Sequence, residues 1–256
     1  MARHLWTNVA VLCATALIVA GCSAGAATET PPPVVTAQAD SKSTTATSTA
    51  SAPARTSSAA PRSTPAGQLT PPVVVEDGWS LSPDGEFVSF GVRVRNDGPT
   101  SALPSITVTA IDASGAPLET KQEKLGFFMA GTDAYIGGTF IDSSDIANLQ
   151  ITTEAGQKPF TDAPPVAITA EATIQGTGYS PRIALAARSN SSEPVESPAR
   201  IFFVFRDEGG DIVGGTTAFT SSSIQPGRVL NEAPFITGFA PDTATSADVT
   251  IAASVG

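Results

Sequence analysis

The segment Val88-Ser89-Phe90-Gly91-Val92-Arg93-Val94-Arg95 decides the fold class of this 256-residue chain. Its even-numbered residues are apolar, whereas its odd-numbered residues are small or charged. Because alternate side chains of an extended backbone point to opposite faces, this pattern predicts a half-buried β-strand. The turn-forming residues Asn96-Asp97-Gly98-Pro99 follow and end the strand.

Comparable short segments recur through the rest of the chain and predict further strands. The residues Asp112-Ala113-Ser114-Gly115 form a hairpin-type turn, in which Gly115 can take a positive φ. No segment has a helical period that lasts more than about two turns. Short strands separated by turn signals favour an all-β protein with antiparallel sandwiches over alternating βαβ units. The predicted strands, besides the first, are 73–80, 106–110, 117–124, 133–141, 147–153, 182–188 and 201–205.

The same order of turn residues and predicted strands occurs twice along the chain. Asn96 precedes Gly115 by 19 residues, and Asn190 precedes Gly210 by 20, so the two copies are offset by 94 to 95 residues. This spacing predicts an internal duplication of one β module, with modules at 71–160 and 166–256. The Pro-containing stretch 161–165 lies between them. Modules of about 85–90 residues have the size of immunoglobulin-like domains, so we expect two tandem antiparallel immunoglobulin-like β-sandwiches.

The modules also resemble, loosely, the FxLyD-type repeats of bacterial surface lipoproteins, over most of each module. The resemblance rests on a polar turn at Arg188-Ser189-Asn190, the strand end Phe203-Val204-Phe205-Arg206-Asp207, and Gln225-Pro226-Gly227 before Phe235. The strand end only approximates the Phe-x-Leu-aromatic-Asp cluster that defines the family. The resemblance implies a fold and leaves the function open.

The N-terminal segment Val19-Ala20-Gly21-Cys22 resembles the lipobox of bacterial lipoproteins. It follows Arg3 and the apolar stretch Leu5–Ala20, which together have the organisation of an export signal. The resemblance implies a signal peptide at 1–21, a diacylglycerol on the Cys22 sulfur, and Cys22 as the new, palmitate-acylated N-terminus. An uncleaved membrane span and an ordinary secretory peptide cut near Ala24–Ala27 are the alternatives. The apolar stretch has 16 residues, fewer than the roughly 20 that a span requires.

Residues 22–70 are predicted to be a disordered tether. From 23 to 70, 38 of the 48 residues are Ala, Ser, Thr, Pro or Gly, and none is aromatic. Such a composition buries too little apolar surface to offset the entropy lost on ordering. A spacer between membrane and folded part is the simplest interpretation, and O-glycosylation of the Ser/Thr-rich tract is an open alternative.

Charge and residue types exclude several functional classes. Residues 71–256 hold 22 acidic and 10 basic residues, a net charge of −12, which disfavours nucleic acid as a partner. His4 is the single histidine, and Cys13 and Cys22 are the two cysteines. After cleavage the chain would hold no imidazole and no free thiol, so we expect no His- or Cys-dependent catalysis, no zinc or copper site and no cofactor.

Three segments remain as candidates for binding. The acidic turns Asp207-Glu208-Gly209-Gly210-Asp211 and Asp142-Ser143-Ser144-Asp145 are either solvated hairpin ends or calcium-binding loops, although neither has EF-hand spacing. The run Leu125-Gly126-Phe127-Phe128-Met129 either enters the core or exposes an aromatic patch. Strand 201–205 is apolar on both faces, with Phe202 and Val204 pointing away from Phe203 and Phe205, which predicts that the neighbouring module covers the strand.

The sequence therefore predicts a lipid-anchored, non-catalytic protein on the extracytoplasmic face of the cell membrane. It would present two β-sandwich modules to an envelope protein or a cell-wall component, or pack structurally in the envelope. A small-ligand or transport-linked binding lipoprotein is one alternative, and a carboxylate-dependent hydrolase is another.

Overall fold

The computed structural model describes residues 69–159 and 165–253, and every regular element in these ranges is a β-strand. The all-β prediction is confirmed. The strands are β1 Val73–Leu81, β2 Phe87–Arg95, β3 Ser101–Ala102, β4 Ser105–Asp112, β5 Pro117–Lys124, β6 Phe127–Phe128, β7 Asp133–Ile141, β8 Ile146–Glu154, β9 Ile168–Gly176, β10 Gly178–Tyr179, β11 Arg182–Ser189, β12 Arg200–Arg206, β13 Ile212–Phe219, β14 Leu230–Glu232, β15 Phe239–Ala240 and β16 Ser246–Ala252.

All eight predicted strands occur within one or two residues of their predicted ends. Three long strands were not predicted, namely β9, β13 and β16. The sequence of β13, Ile212-Val213-Gly214-Gly215-Thr216-Thr217-Ala218-Phe219, places two adjacent glycines in the middle of a strand. Glycine weakens the strand pattern, because it has no side chain to pack and loses the most backbone entropy on folding.

The first half of the described chain is a sandwich of two three-stranded antiparallel sheets. One has the order β1-β2-β7 and the other β5-β4-β8. The even-numbered residues of β2 point into the space between them, as the alternation predicted, and meet Ile106 and Val108 of β4. Both short strands β3 and β6 pair with each other at one end of this sandwich.

The second half contains one six-stranded sheet of order β13-β12-β16-β9-β11-β14. Strands β16 and β9 share only the pair Ala247–Ala172, so this sheet divides into two three-stranded groups around a core that includes Phe203 and Phe205. The strand order of the first half therefore recurs, with β9-β11-β14 in place of β1-β2-β7 and β13-β12-β16 in place of β5-β4-β8.

The two equivalent hairpins have the same hydrogen bonds. In the first, the Ala116 amide donates to Asp112 Oδ1 at 2.9 Å and the Gly115 amide donates to the Asp112 carbonyl at 3.1 Å. In the second, the Asp211 amide donates to Asp207 Oδ1 at 3.0 Å and the Gly210 amide donates to the Asp207 carbonyl at 3.1 Å. Gly115 and Gly210 have φ angles of 86° and 87°, so the predicted positive φ at Gly115 is confirmed.

The two halves pack through the outer face of β1-β2-β7. Strand β12 crosses that face, because Arg206 meets Glu76 on β1 and Val204 lies over Gly91 on β2. At its start β12 reaches the other sheet, where Arg200 meets Glu123 on β5. Phe202 is fully buried and belongs to the core of the first half, whereas Phe203 belongs to the core of the second. The prediction that the neighbouring half covers this strand is confirmed, and the structure shows that the covered face carries Phe202 and Val204.

Backbone-to-backbone contact makes this junction close. A Cβ atom added to Gly137 would clash with the Phe203 carbonyl oxygen and lie 2.6 Å from the Thr216 nitrogen. At Gly215 a Cβ atom would lie 2.5 Å from the Phe90 oxygen. Ser89 joins the halves directly, since its Oγ donates to the Gly215 carbonyl and accepts from the Gly215 amide, each at 2.8 Å. The described residues of both halves belong to one compact unit.

Candidate interaction surface

The predicted lipidation site, Cys22, the signal peptide at 1–21 and the tether up to residue 68 lie outside the described residues. No helix in the described part of the chain is long and apolar enough to cross a membrane. The structure therefore bears on the residues beyond the tether.

The acidic turn at Asp207 is the end of the β12–β13 hairpin, whereas the turn at Asp142 connects β7 of one sheet to β8 of the other. Asp207 uses its Oδ1 to hold the turn through the Asp211 amide, and Asp142 takes a φ of 55° at the end of β7. Within residues 69–159 and 165–253, no group of three or more His, Cys, Asp or Glu side chains is arranged to hold a metal ion. These turns therefore do not provide a set of ligands that would support calcium binding.

The apolar run 125–129 enters the core. Leu125 and Phe128 are each only 2% exposed and contribute to the core of the first half, while Phe127 and Met129 are half-buried. The backbone carbonyl of Phe128 accepts a 2.8 Å hydrogen bond from Asn96 Nδ2, which ties the run to the turn after β2. This outcome agrees with the core interpretation of the segment.

Among the described residues, one carboxylate is deeply buried, and it pairs with an arginine of the other half. Glu123 projects inward from the edge strand β5, is 4% exposed, and accepts a 2.7 Å hydrogen bond from Arg200 Nη2. Burial raises the pKa of Glu123, although Arg200 and Lys121 oppose this shift. The Arg200 guanidinium also lies over the rings of Phe202 and Phe219, at 5.3 Å and 5.9 Å from their centroids. This pair closes the junction between the halves.

A second arginine closes the opposite side of the same junction. Arg206 binds Glu76 through two hydrogen bonds of 2.8 Å and 3.0 Å, and its Nε lies 2.5 Å from Asp248. The hydrogen bonds to Glu76 and then to Asp248 raise the pKa of Arg206. A two-pronged arginine–carboxylate contact fixes geometry as well as charge, so it defines the position of β12 on β1.

An exposed apolar surface lies at the end of the molecule where β2 begins and β7 ends. We call it the Tyr179 surface; its residues are Phe87, Ile141, Tyr179 and Phe235. Ile141 is 55% exposed, Tyr179 49% and Phe235 81%. Phe87 pairs with Ile141 across the β2–β7 ladder, and the ring of Tyr179 meets the ring of Phe87 edge-on at 5.9 Å.

Two short strands of the second half, β10 and β15, help to place Tyr179 and Phe235 at this surface. Strands β10 and β15 pair Tyr179 with Phe239, and their rings lie 5.6 Å apart. The Ser180 amide donates to the Gly238 carbonyl at 3.0 Å, which holds the loop containing Phe235 against the β9–β11 turn. A groove of about 170 Å³ separates Phe87 and Ile141 from Thr237 and Gly238. The surface is thus assembled from both halves.

Carboxylates surround the Tyr179 surface. Ser82 Oγ and the Glu86 amide donate hydrogen bonds of 2.6 Å and 3.1 Å to Asp84 Oδ1. The pKa of Asp84 is lowered to about 2 by Ser82, then by the Tyr179 hydroxyl, then by the Glu86 amide. The Glu119 carboxylate accepts a 2.8 Å hydrogen bond from the Ile141 amide, and the Asp142 amide donates to the Glu86 carbonyl at 3.1 Å. On the far side, Asp242 accepts a 3.0 Å hydrogen bond from Thr177. Five acidic residues therefore lie close to exposed aromatic and aliphatic groups.

Sequence reasoning did not find this surface, because its residues come from four segments that the linear order separates. The junction glycines did carry a signal. Two adjacent glycines occur inside a strand at Gly137-Gly138 and at Gly214-Gly215, a pattern that indicates close approach, and Gly137 and Gly215 do meet backbone atoms of the other half. The buried pair Arg200–Glu123 gave no comparable signal.

Comparisons with known proteins identify no family. No protein-family model matches the chain, and no curated protein matches it. Among solved structures, the C-terminal globular domain of an oligosaccharyltransferase from Pyrococcus abyssi is similar over 68% of this chain at 11% identity, with a TM-score of 0.11. This chain spans only 40% of that structure's length.

Proposed function

We propose that this chain is a lipid-anchored, non-catalytic cell-envelope protein that presents two immunoglobulin-like β-sandwiches for binding or structural packing on the extracytoplasmic face of the cell membrane. The observation that carries the proposal is Val19-Ala20-Gly21-Cys22, placed directly after an export-type apolar stretch. A diacylglycerol on Cys22 together with a third acyl chain gives stable anchoring, because each buried CH₂ group contributes about 0.8 kcal/mol.

The length of the tether suits presentation of the folded part away from the lipid. The 46 residues from 23 to 68 separate Cys22 from the first described residue, Leu69. A flexible chain of this length has an r.m.s. span of roughly 35–40 Å, and its prolines stiffen it further. In this proposal the protein contacts the membrane through its covalent lipid.

Binding rather than catalysis is supported by the side chains beyond Cys22. Residues 23–256 include no histidine and no cysteine. The deeply buried carboxylate, Glu123, is paired with Arg200 at a structural junction. The exposed aromatic and aliphatic groups of the Tyr179 surface, in contrast, have the composition of an interaction site. The recurring strand order and hairpin geometry support the assignment of two immunoglobulin-like modules.

The anchoring claim is tested by replacing Cys22 with Ser and fractionating the cells. We expect the Cys22→Ser variant to move from the membrane fraction to the soluble or secreted fraction and to lose incorporation of labelled palmitate. The matched control is Cys13→Ser, which removes the other thiol and leaves the lipidation site unchanged. If Cys22→Ser fractionates with membranes as the unmodified chain does, the proposal is wrong.

A further inference from the structure

We infer that the Tyr179 surface, at the end of the molecule opposite the attachment of the tether, is the docking site for a basic segment of a protein partner. This inference rests on the proposed function for its location on the extracytoplasmic face of the membrane. Its own support comes from the course of β1, from the charges around the surface and from the exposure of the apolar groups.

The tether joins the molecule at the end opposite the Tyr179 surface. Pro72 lies beside the end of β8, where its carbonyl accepts a 2.7 Å hydrogen bond from Thr153, and β1 starts at the next residue. The nine residues of β1 then lead to the turn that contains Asp84, next to Tyr179. At 3.3 Å per residue, β1 separates the two ends by about 26 Å. In a chain held through residues before Leu69, the Tyr179 surface is therefore about 26 Å from the point of attachment and is left free by the tether.

The charge around the surface selects the partner. Five carboxylates lie at or next to it, against the cations Lys121 and Arg182, which line its two grooves. Lys121 already contacts the Glu119 carboxylate at 3.6 Å and the Thr139 carbonyl. The remaining negative field attracts lysine and arginine side chains and repels anionic lipid and anionic wall polymers. The five carboxylates are Asp84, Glu86, Glu119, Asp142 and Asp242.

The apolar groups supply the contact area that charge alone does not. Aromatic side chains are favoured at the centre of protein interfaces because they bury a large area and lose little conformational entropy. Phe235, at 81% exposed, lies over a groove of about 270 Å³ that also contacts Pro181 and Pro234. The segment that fits this surface therefore carries an apolar residue between basic ones.

Site-specific photocrosslinking in intact cells tests the inference on the full lipidated chain. The probe is p-benzoylphenylalanine, placed in turn at Ile141, Tyr179 and Phe235. Val73 and Val229, which are 49% and 41% exposed and lie on other parts of the molecule, are the control positions. We expect the three surface positions to crosslink to one protein segment with a net positive charge, identified by mass spectrometry, and the controls to give no such product.

The charge requirement is tested in the chain that carries the probe at Tyr179. Glu86→Gln combined with Asp142→Asn removes two exposed charges and keeps the side-chain shapes, and Asn suits the positive φ at position 142. Because an exposed ion pair is weak, we expect the crosslinked yield to fall about threefold to tenfold, with a similar fall at high salt. The matched control, Glu193→Gln with Glu208→Gln, removes the same charge elsewhere and should leave the yield unchanged.

Several results overturn the inference. They are a yield at the three positions no higher than at the controls, an acidic or uncharged crosslinked segment, or a product with lipid, glycan or a second copy of this chain. The membrane fraction of the same cells separates the two claims. A chain that is anchored but fails to crosslink disproves the inference alone, whereas a chain that is not anchored disproves the proposed function.

Discussion

Replacing Phe202 with Ala should destabilise both halves of the protein. Phe202 belongs to β12 of the second half, yet its fully buried side chain completes the core of the first. Removing a buried phenylalanine side chain costs about 3–5 kcal/mol. Because the stability of whole domains is 5–15 kcal/mol, this one change should remove a large share of it. In a unit of this size the melting temperature should fall by roughly 6–20 °C.

The assay is urea unfolding of residues 23–256, followed by fluorescence and far-UV circular dichroism. Trp79 is the single tryptophan of that chain and packs against the first core, so its fluorescence reports on the first half. The matched control is Phe219→Ala, the same change on the neighbouring strand. Phe219 is 53% exposed, and we expect that variant to lose less than about 1 kcal/mol.

Phe203→Ala tests the coupling between the halves. Phe203 is adjacent to Phe202 but belongs to the second core. If the halves unfold as one unit, Phe203→Ala shifts the Trp79 transition as far as it shifts the circular dichroism transition. The reasoning is refuted if Phe202→Ala costs no more than Phe219→Ala, or if Phe203→Ala leaves the Trp79 midpoint in place.

Three further predictions concern the junction and the exposed end. Gly137→Ala should lower stability by about 1–3 kcal/mol in thermal unfolding, because its Cβ would meet backbone atoms that cannot move aside; an unchanged melting temperature would contradict the close packing. Burial raises the pKa of Glu123 in the folded state, so the folded state binds more protons than the unfolded state does. The contribution of Glu123 to the free energy of unfolding is therefore lost as the pH rises above 4.5, the ordinary pKa of a glutamate. Glu123→Gln should therefore gain stability relative to the unmodified chain between pH 4.5 and pH 7 in urea titrations, and a difference that is constant with pH would rule this out. Tyr179→Phe should raise the pKa of Asp84 from about 2 part of the way towards 3.8 by NMR titration, since Ser82 still donates to Asp84; no change would show that the Tyr179 hydroxyl does not act on Asp84.

The sequence predicts the strands whose two faces differ. Val88, Phe90, Val92 and Val94 alternate with small or charged residues, and the structure places these four in the core. The same alternation misled about the other face. It predicted a half-buried strand, but Ser89 and Gly91 are also buried, because the second half packs on them. An alternation of apolar and small residues does not predict that a second sheet packs on the small residues, here Ser89 and Gly91.

The candidate surface was beyond prediction for a different reason. Phe87, Ile141, Tyr179 and Phe235 are each ordinary apolar residues in their local sequence, and only the crossing of β12 and β13 over β1-β2-β7 brings them to one end. The duplicated turns predicted the hairpins at Asp112 and Asp207 but carried no information on how one half packs against the other. Long-range packing of this kind depends on shape, which local patterns do not encode.

The course of β1 also determines how the protein responds to mechanical force. A pull transmitted through Leu69 acts along β1, while a partner held at the opposite end resists it. The ladder of eight residue pairs with β2 is then loaded in shear, so its hydrogen bonds share the tension and must break together rather than one at a time. A molecule built this way can withstand tension between a tethered base and a captured partner.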